Sequence, residues 1–323
     1  MSDAVRVGLV GAGPWARLFT APMLATSPDA ELAGIWARRL GAAEELAATH
    51  GVDAVEDLDA LFDRCDAVCF SVPPSVQAEL ATRAARAGKA LLLDKPVGAT
   101  AAEAETLAAA VDEAGVVTQV IFTYRYLDAT RAFLAESASV GAYGGRASFY
   151  GNGSLEGTYF GTPWRISEGG LLDLGPHTLD LLDASLGRIE AVEAHGDAHR
   201  LVLLECVHEG GRISQAAMTA TTDAPGGLTA EVVGRNGAVS IDLVHRPADE
   251  AAKDAAGARV RIVAEFAEAI RSGTPHPLDV HRGLHLQRLI DTAATQLGDS
   301  SSVSPPRAPR GRGSRTDGAA TPP

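Results

Sequence analysis

The chain has 323 residues, 46% of them hydrophobic and 21% charged, with a net charge of −13, the profile of a globular protein of about two domains. That acidic balance argues against nucleic acid as a general partner, because it repels phosphate backbones. No apolar run is long enough to span a bilayer, and MSDAVRVGLV opens on a strand-like run without a signal-peptide layout.

In chain order, short apolar runs alternate with Ala-rich helical stretches through the first half. Val5–Val10 is followed by a helix from about Ala16, and Glu31–Trp36 by one around Ala42–Thr49. Ala67–Ser71 leads into Ser75–Ala87, Ala90–Leu93 into Ala101–Ala114, and Val116–Phe122 closes the series. Nearly continuous apolar runs are what strands buried on both faces of a parallel sheet require, so the pattern predicts an α/β, doubly wound Rossmann domain over residues 1–123. Beyond it the rhythm changes. A Gly-, Tyr- and Phe-rich segment (Gly141–Pro163) precedes a leucine-rich helix at 169–183. Strand-like runs without helices follow at Ile189–His195, Leu201–His208, Arg212–Ala220, Leu228–Val233 and Ala238–Leu243. They predict an antiparallel sheet in a second domain, 124–298, completed by helices near Arg259–Arg271 and Val280–Leu297. Residues 299–323 are rich in Ser, Pro, Arg and Gly and are expected to be disordered. Cys65, Cys69 and Cys206 form an odd, sparse set, consistent with reduced thiols in a cytoplasm; nothing near Cys65 and Cys69 completes a metal site.

VGLVGAGPWA (7–16) carries Gly11, Gly13 and Ala16 in a G-x-G-x-x-A pattern between a predicted strand and a predicted helix, the context that makes it a dinucleotide fingerprint. Gly11 permits the turn, Gly13 lets the backbone approach a pyrophosphate, and the helix start offers N–H groups to anionic oxygens. Pro14 suits the first helical turn. NAD-binding sites usually place Asp or Glu at the end of the second strand. Here that strand runs into Ala37-Arg38-Arg39, and no carboxylate follows until Glu44. The two arginines suit the 2′-phosphate of NADP, so NADP is preferred over NAD; the alternative is that they are merely solvated and NAD is accepted.

In GGLLDLGPHTLDLLD (169–183), Asp173, His177 and Asp180 are spaced i, i+4, i+7 on one stripe, with leucines on the other faces. At that spacing Asp173 reaches His177, orienting the imidazole and stabilising its charged form. Three readings are open: a satisfied structural cluster, a metal site, or the acid–base face of an enzyme. No further ligand set accompanies the pair, and none is assigned to a metal.

These motifs, with ALLLDKPVG and its Asp94-Lys95-Pro96 and with SVPPSVQAEL before it, together resemble the Gfo/Idh/MocA oxidoreductase family, over nearly the whole chain except the tail. The resemblance implies a C-terminal α/β domain on an open, mainly antiparallel sheet. The exposed face of that sheet would form a homodimer or homotetramer. It implies that Lys95 faces the nicotinamide and substrate. Cofactor contacts are implied for Trp15, Ser71, Pro73, Gln77, Asp94, Trp164 and Arg165 besides the glycine turn and Ala37–Arg39. Gln77 and Asp94 depart from the family's usual His and Glu. Arg125 and Tyr126, in TYRY, stand where relatives carry substrate contacts; Arg125 reads equally well as a structural ion-pair partner. The activity implied is NAD(P)-dependent hydride transfer at a CH–OH or carbonyl carbon of a sugar, polyol or related small molecule. In it His177, oriented by Asp173, moves the hydroxyl proton, Lys95 polarises the same oxygen, and Asp180 holds a neighbouring hydroxyl. A non-catalytic nucleotide sensor and a nicotinamide-assisted glycoside hydrolase are the alternatives on the same fold.

Overall fold

The computed structural model describes residues 4–223 and 226–299. The expectation of disorder for the tail therefore lies outside the described residues, apart from its first residue.

The first sheet is all parallel. β1 (Val5–Val10) lies between β2 (Ala30–Trp36) and β3 (Ala67–Phe70), and β4 (Ala90–Asp94) and β5 (Thr118–Ile121) extend it, giving the order β2-β1-β3-β4-β5. β3 and β5 are buried at every position, which is why their sequences run without alternation. The connecting helices are α1 (Ala21–Ala25), entered through a π-wound stretch at Ala16–Thr20, then α2 (Leu40–His50), α3 (Leu58–Arg64), α4 (Pro74–Arg86) and α5 (Ala101–Ala114). Short α3 was not anticipated from sequence, although Asp57 marks its start by accepting a hydrogen bond from the Ala60 N–H at 2.9 Å. A 3₁₀ turn at Thr123–Tyr126 leads from β5 into α6 (Asp128–Ser137), also unanticipated.

The second sheet is mixed: β11-β10-β6-β9-β8-β7, built from β6 (Ala142–Tyr150), β7 (Ile189–Gly196), β8 (Val202–His208), β9 (Ile213–Thr219), β10 (Gly227–Gly234) and β11 (Gly237–Asp242). β6 pairs parallel with β9, and the other pairs are antiparallel. The Gly-rich stretch thus contains a central strand. A Cβ at Gly144 would lie 2.3 Å from the Ile213 carbonyl oxygen, and one at Gly145 2.5 Å from that of Glu231. Neighbouring strands approach too closely for side chains there, so no alternation survives in the sequence. α7 (Pro163–Leu186) packs its leucines on one face of this sheet. The other face alternates outward, leaving Leu203, Val207 and Ile213 exposed.

α8 (Ala248–Ser272) begins about three turns earlier than its sequence suggests, and α9 (Val280–Asp299) is the last described element. Both return to the first half. The Gln119 amide donates to the Ile262 carbonyl at 2.9 Å, and the Ala101 N–H donates to Asp291 at 2.6 Å. The two sheets are therefore held together by elements far apart in sequence, with a cleft between them at the carboxyl ends of β1 and β4.

Candidate active site

The glycine turn has the geometry its sequence requires. Gly11 has φ +121°, and a Cβ there would sit 2.2 Å from the Ser71 carbonyl oxygen, so only glycine fits. The turn is pinned by the Gly11 N–H donating to Trp36 at 2.8 Å and by a Thr20–Ser71 hydroxyl contact of 2.8 Å. Ser71 thus braces the turn. A Cβ at Gly13, in contrast, would meet nothing within 4 Å. That bare backbone opens on a cavity of about 520 Å³ lined by Pro14, Arg17, Arg39, Glu45 and Tyr159. Open space over the second glycine at a helix start is what a bound pyrophosphate needs, and the residues present fit a dinucleotide. Arg17 donates to Ala12 and forms an ion pair with Glu45 at 3.0 Å. Arg38 and Arg39 are exposed and make no ion pair among the described residues, and Ala37 adds no charge beside them. Tyr159, missed in the sequence, crosses from the second half of the chain to donate to the Pro14 carbonyl at 3.3 Å. Pro73 is exposed at the start of α4.

A second cavity, of about 480 Å³, joins the two halves and collects Trp15, Asp94, Lys95, Tyr124, Asp173 and His177 among its lining. Lys95 follows the end of β4, where ligands of such sheets bind. Its ammonium donates to the Asp173 carboxylate at 2.8 Å and to the Asp173 carbonyl at 2.7 Å. An ammonium has three N–H groups, so one is left for a ligand. The loop carrying Lys95 is clamped from below by Gln77, which is 1% exposed. Gln77 accepts from the Asp94 N–H at 2.8 Å and donates to the carbonyls of Asp94 at 2.8 Å and Pro96 at 3.0 Å. Gln77 was expected at the cofactor; its amide is instead spent on backbone, which makes it a brace.

α7 delivers the opposite wall. It kinks at Gly169, whose φ of +73° takes it out of the helix, and Pro163–Glu168 swings toward the cleft. Arg165 there bonds Asp173 at 3.2 Å and stacks 4.5 Å from the Trp164 ring centroid. Asp173 is shared between two cations. Burial would raise its carboxyl, but the Lys95 ammonium and the Arg165 guanidinium outweigh that and hold it well below the usual carboxylate range. His177 behaves oppositely. Burial lowers it first, Lys95 lowers it further, and Asp173 only partly opposes them, so the imidazole sits well below its usual value and is neutral. The expected Asp173–His177 hydrogen bond is not formed, because Lys95 and Arg165 take up the carboxylate. The ring packs instead against Tyr124 at 4.9 Å and Phe149 at 6.0 Å, and its Nδ1 is buried without a partner. Burial also pushes the Asp94 carboxyl up to about 6.

Two expected substrate contacts are corrected. Tyr126 is fully buried, with its hydroxyl directed at the Val120 carbonyl and its ring stacked on His276; Tyr124, two residues earlier in the 3₁₀ turn, faces the cleft. Asp180 is 1% exposed and receives Arg125 at 3.0 Å and Arg282 at 2.8 Å. Seven residues carry it about 10 Å along the helix axis from Asp173, past the cleft. Arg125 resolves to the ion-pair partner. The network continues from Arg282 to Asp183, which His285 and the Ile189 N–H also meet at 2.9 and 2.8 Å. Burial would raise Asp183, but these partners hold it down at about 2. Among the described residues no group of three or more His, Cys, Asp or Glu side chains is placed to hold a metal ion, and no helix is long and apolar enough to cross a membrane.

Residues 5–122 match the family GFO_IDH_MocA, described as an oxidoreductase family with an NAD-binding Rossmann fold. That stretch, the first half with its parallel sheet, resembles the Gfo/Idh/MocA oxidoreductases. The chain is 25% identical over 329 residues to scyllo-inositol 2-dehydrogenase (NAD(+)) of Bacillus subtilis (strain 168), covering 91% of this chain and 94% of that protein. A dTDP-3,4-didehydro-2,6-dideoxy-alpha-D-glucose 3-reductase of Streptomyces violaceoruber is 30% identical over 188 residues, 57% of this chain and 55% of the relative. With that reductase and others like it, the chain matches only about half of the relative's length. The crystal structure of GenD2 from gentamicin A biosynthesis in complex with NAD superposes with a TM-score of 0.80 at 21% identity, covering 93% of this chain and 96% of that one. The fold is therefore shared across both sheets.

Proposed function

We propose that this protein is a Gfo/Idh/MocA-type, NAD(P)-dependent oxidoreductase that acts on a CH–OH or carbonyl carbon of a sugar, polyol or related small molecule. The observation that carries this reading is Lys95, held by Asp173 with one N–H to spare, beside neutral His177 in a cleft that opens next to the glycine turn. The dinucleotide, when bound, supplies or accepts the hydride. Lys95 donates its remaining N–H to the substrate oxygen and stabilises negative charge there. In the oxidation direction the carbinol C–H leaves as hydride and the hydroxyl proton passes to the neutral imidazole of His177; reduction reverses both transfers. Asp173 keeps Lys95 in place, a role the sequence had assigned toward His177. Trp15 and Arg165, the latter stacked on Trp164, would hold the nicotinamide end of a bound dinucleotide, and Tyr124 and Phe149 would enclose the substrate.

NADP is the preferred cofactor in this reading, supported by Arg39, which lines the dinucleotide cleft without an ion-pair partner among the described residues, by exposed Arg38 next to it in the chain, and by Arg17, which occupies the carboxylate of that cleft, Glu45. Association into a homodimer or homotetramer through the open face of the second sheet is supported by exposed Leu203 and Ile213 on that face. The three buried, unbridged cysteines support a reducing, cytoplasmic setting. The test is NADPH oxidation across keto-sugars and inosose-like ketones, repeated with Lys95→Ala and His177→Ala. Turnover of one such ketone that collapses in both variants is expected, and turnover surviving both overturns the site. Equal affinity for NADPH and NADH overturns the cofactor preference.

A further inference from the structure

One wall of the cleft comes from a segment that the chemistry above does not use. β11 ends at Asp242, whose carboxylate accepts the N–H groups of Val244 and His245 at 2.8 and 3.0 Å and meets the His245 ring at 2.9 Å. This tight turn reverses the chain before α8 and brings Arg246 to the cleft lining. The Arg246 side chain is 18% exposed. One guanidinium nitrogen, Nη1, donates to Asp254 at 2.7 Å, and Asp254 is itself fixed by the Asp128 N–H at 2.6 Å. The Nε of Arg246 is buried with no partner. The guanidinium is thus anchored at one corner and unfinished at another, and an unmade hydrogen bond on a buried charged group is costly.

Arg246 is not alone in this. Trp15 Nε1 and His177 Nδ1 are also buried without partners, and both residues line the same cavity. The indole and the guanidinium only donate. Around them stand Lys95 and Arg165, whose shared carboxylate partner, Asp173, is already engaged. The unfinished groups of the cleft therefore call for a ligand rich in acceptor oxygens, with its strongest acceptor at the Arg246 wall. A planar guanidinium with an anchored edge suits the two oxygens of a carboxylate or phosphate better than a lone hydroxyl.

We propose that the substrate is a polyol or sugar bearing an anionic oxygen group, carboxylate or phosphate, and that Arg246 is the residue that binds this group. The proposal rests on the reading of the cleft as the hydride-transfer site and names the substrate class for it. Arg246 sets affinity and selectivity, while Lys95 and His177 carry the proton chemistry.

The test separates binding from turnover. Binding of D-glucuronate, glucose 6-phosphate and D-glucose to the full-length protein is measured by calorimetry, with and without saturating NADP⁺, after NADP⁺ and NAD⁺ binding have each been measured alone. At least one of the two anions is expected to bind roughly tenfold or more tightly than D-glucose, as a charge-assisted bond implies, and which anion wins identifies the group. Arg246→Ala is expected to abolish that advantage while NADP⁺ affinity stays unchanged. Arg246→Lys, which keeps the charge near Asp254 but loses the fork, is expected to retain part of it and guards against misfolding of the alanine variant. Binding of D-glucose as tight as that of both anions overturns the proposal, as does failure of both anions to bind or a preference that survives in both variants. Failure of both NADP⁺ and NAD⁺ to bind would instead overturn the oxidoreductase reading, and the anion comparison without cofactor would still decide the role of Arg246.

Discussion

Asp173 and Asp180 stand two turns apart on the same stripe of α7, both buried, both paired with two cations. Around Asp180 the hydrogen bonding closes within the protein. Arg125 and Arg282 satisfy the carboxylate, Arg282 continues to Asp183, and His285 and the Ile189 N–H complete that residue. Around Asp173 it does not close. Lys95 keeps a spare N–H, and Trp15, His177 and Arg246 each hold a buried polar atom without a partner. The same residue type on the same helix thus serves as a structural tie in one place and, in the function proposed above, as part of a reaction site in the other. Polar atoms left without partners, and not burial or charge alone, separate the two. Burying an incomplete cluster costs stability, so its persistence beside a cleft points to a ligand that completes it.

The largest expected effect lies at the open cluster. Lys95→Ala should lower kcat by roughly 10²–10⁴-fold, the range for losing a positioned proton-transfer or polarising group, with dinucleotide affinity nearly unchanged. Steady-state kinetics on an accepted ketone, together with NADPH fluorescence titration, check this. At the closed cluster the order reverses. Asp180→Ala strands two buried guanidinium groups, and denaturant unfolding should show a loss of about 3–5 kcal/mol, with kcat per folded molecule close to that of the parent. A folded Asp180→Ala protein with normal stability and no turnover would return Asp180 to the substrate and erase the contrast.

How much of this contrast was legible in the sequence follows from the same distinction. The parallel sheet was readable because β1, β3 and β4 are buried on both faces and their residues say so without help from elsewhere. The glycine turn was readable because Gly11 answers to a local steric demand. β6 was not, because its glycines answer to the closeness of β9 and β10, more than 60 residues away in the chain. Asp173, His177 and Asp180 could be placed on one stripe by helical spacing. The depth of each along the cleft depends on where the Thr123–Tyr126 turn and α9 pack, which no spacing encodes. Arg282, the partner that decides the fate of Asp180, lies 102 residues further on. Tyr124 was overlooked for Tyr126 because a 3₁₀ turn points the two rings to different sides. Arg246 carried no motif at all.

A third, smaller effect tests the charge state of the open cluster. Burial raises Asp94 to about 6, above its value near 3.9 in an unfolded chain. Between those values the folded protein holds the proton and the unfolded chain does not, so this group makes stability fall as pH rises from about 4 to about 6, with no further change above. Asp94→Asn removes the titration. The difference in unfolding free energy between variant and parent should therefore shift in favour of the variant across that window. Thermal or urea unfolding at several pH values measures it, and a parallel pH dependence in the two proteins would mean that Asp94 titrates normally.

The smallest effect belongs to Gln77, which reaches the open cluster only through the backbone of the loop that carries Asp94 and Lys95. Gln77→Leu keeps the volume and leaves the Asp94 N–H and two carbonyls without their partner, a loss of about 1–3 kcal/mol. If Gln77 is a brace, the loosened loop lets Lys95 drift from Asp173, and kcat falls several-fold while the dissociation constant for NADPH holds. If Gln77 instead contacts the cofactor, as its place in the motif suggests, the dissociation constant rises and kcat at saturation holds. The two outcomes are opposite in kind, so even a modest change tells whether the open cluster is positioned from behind by satisfied hydrogen bonds or from the front by its ligand.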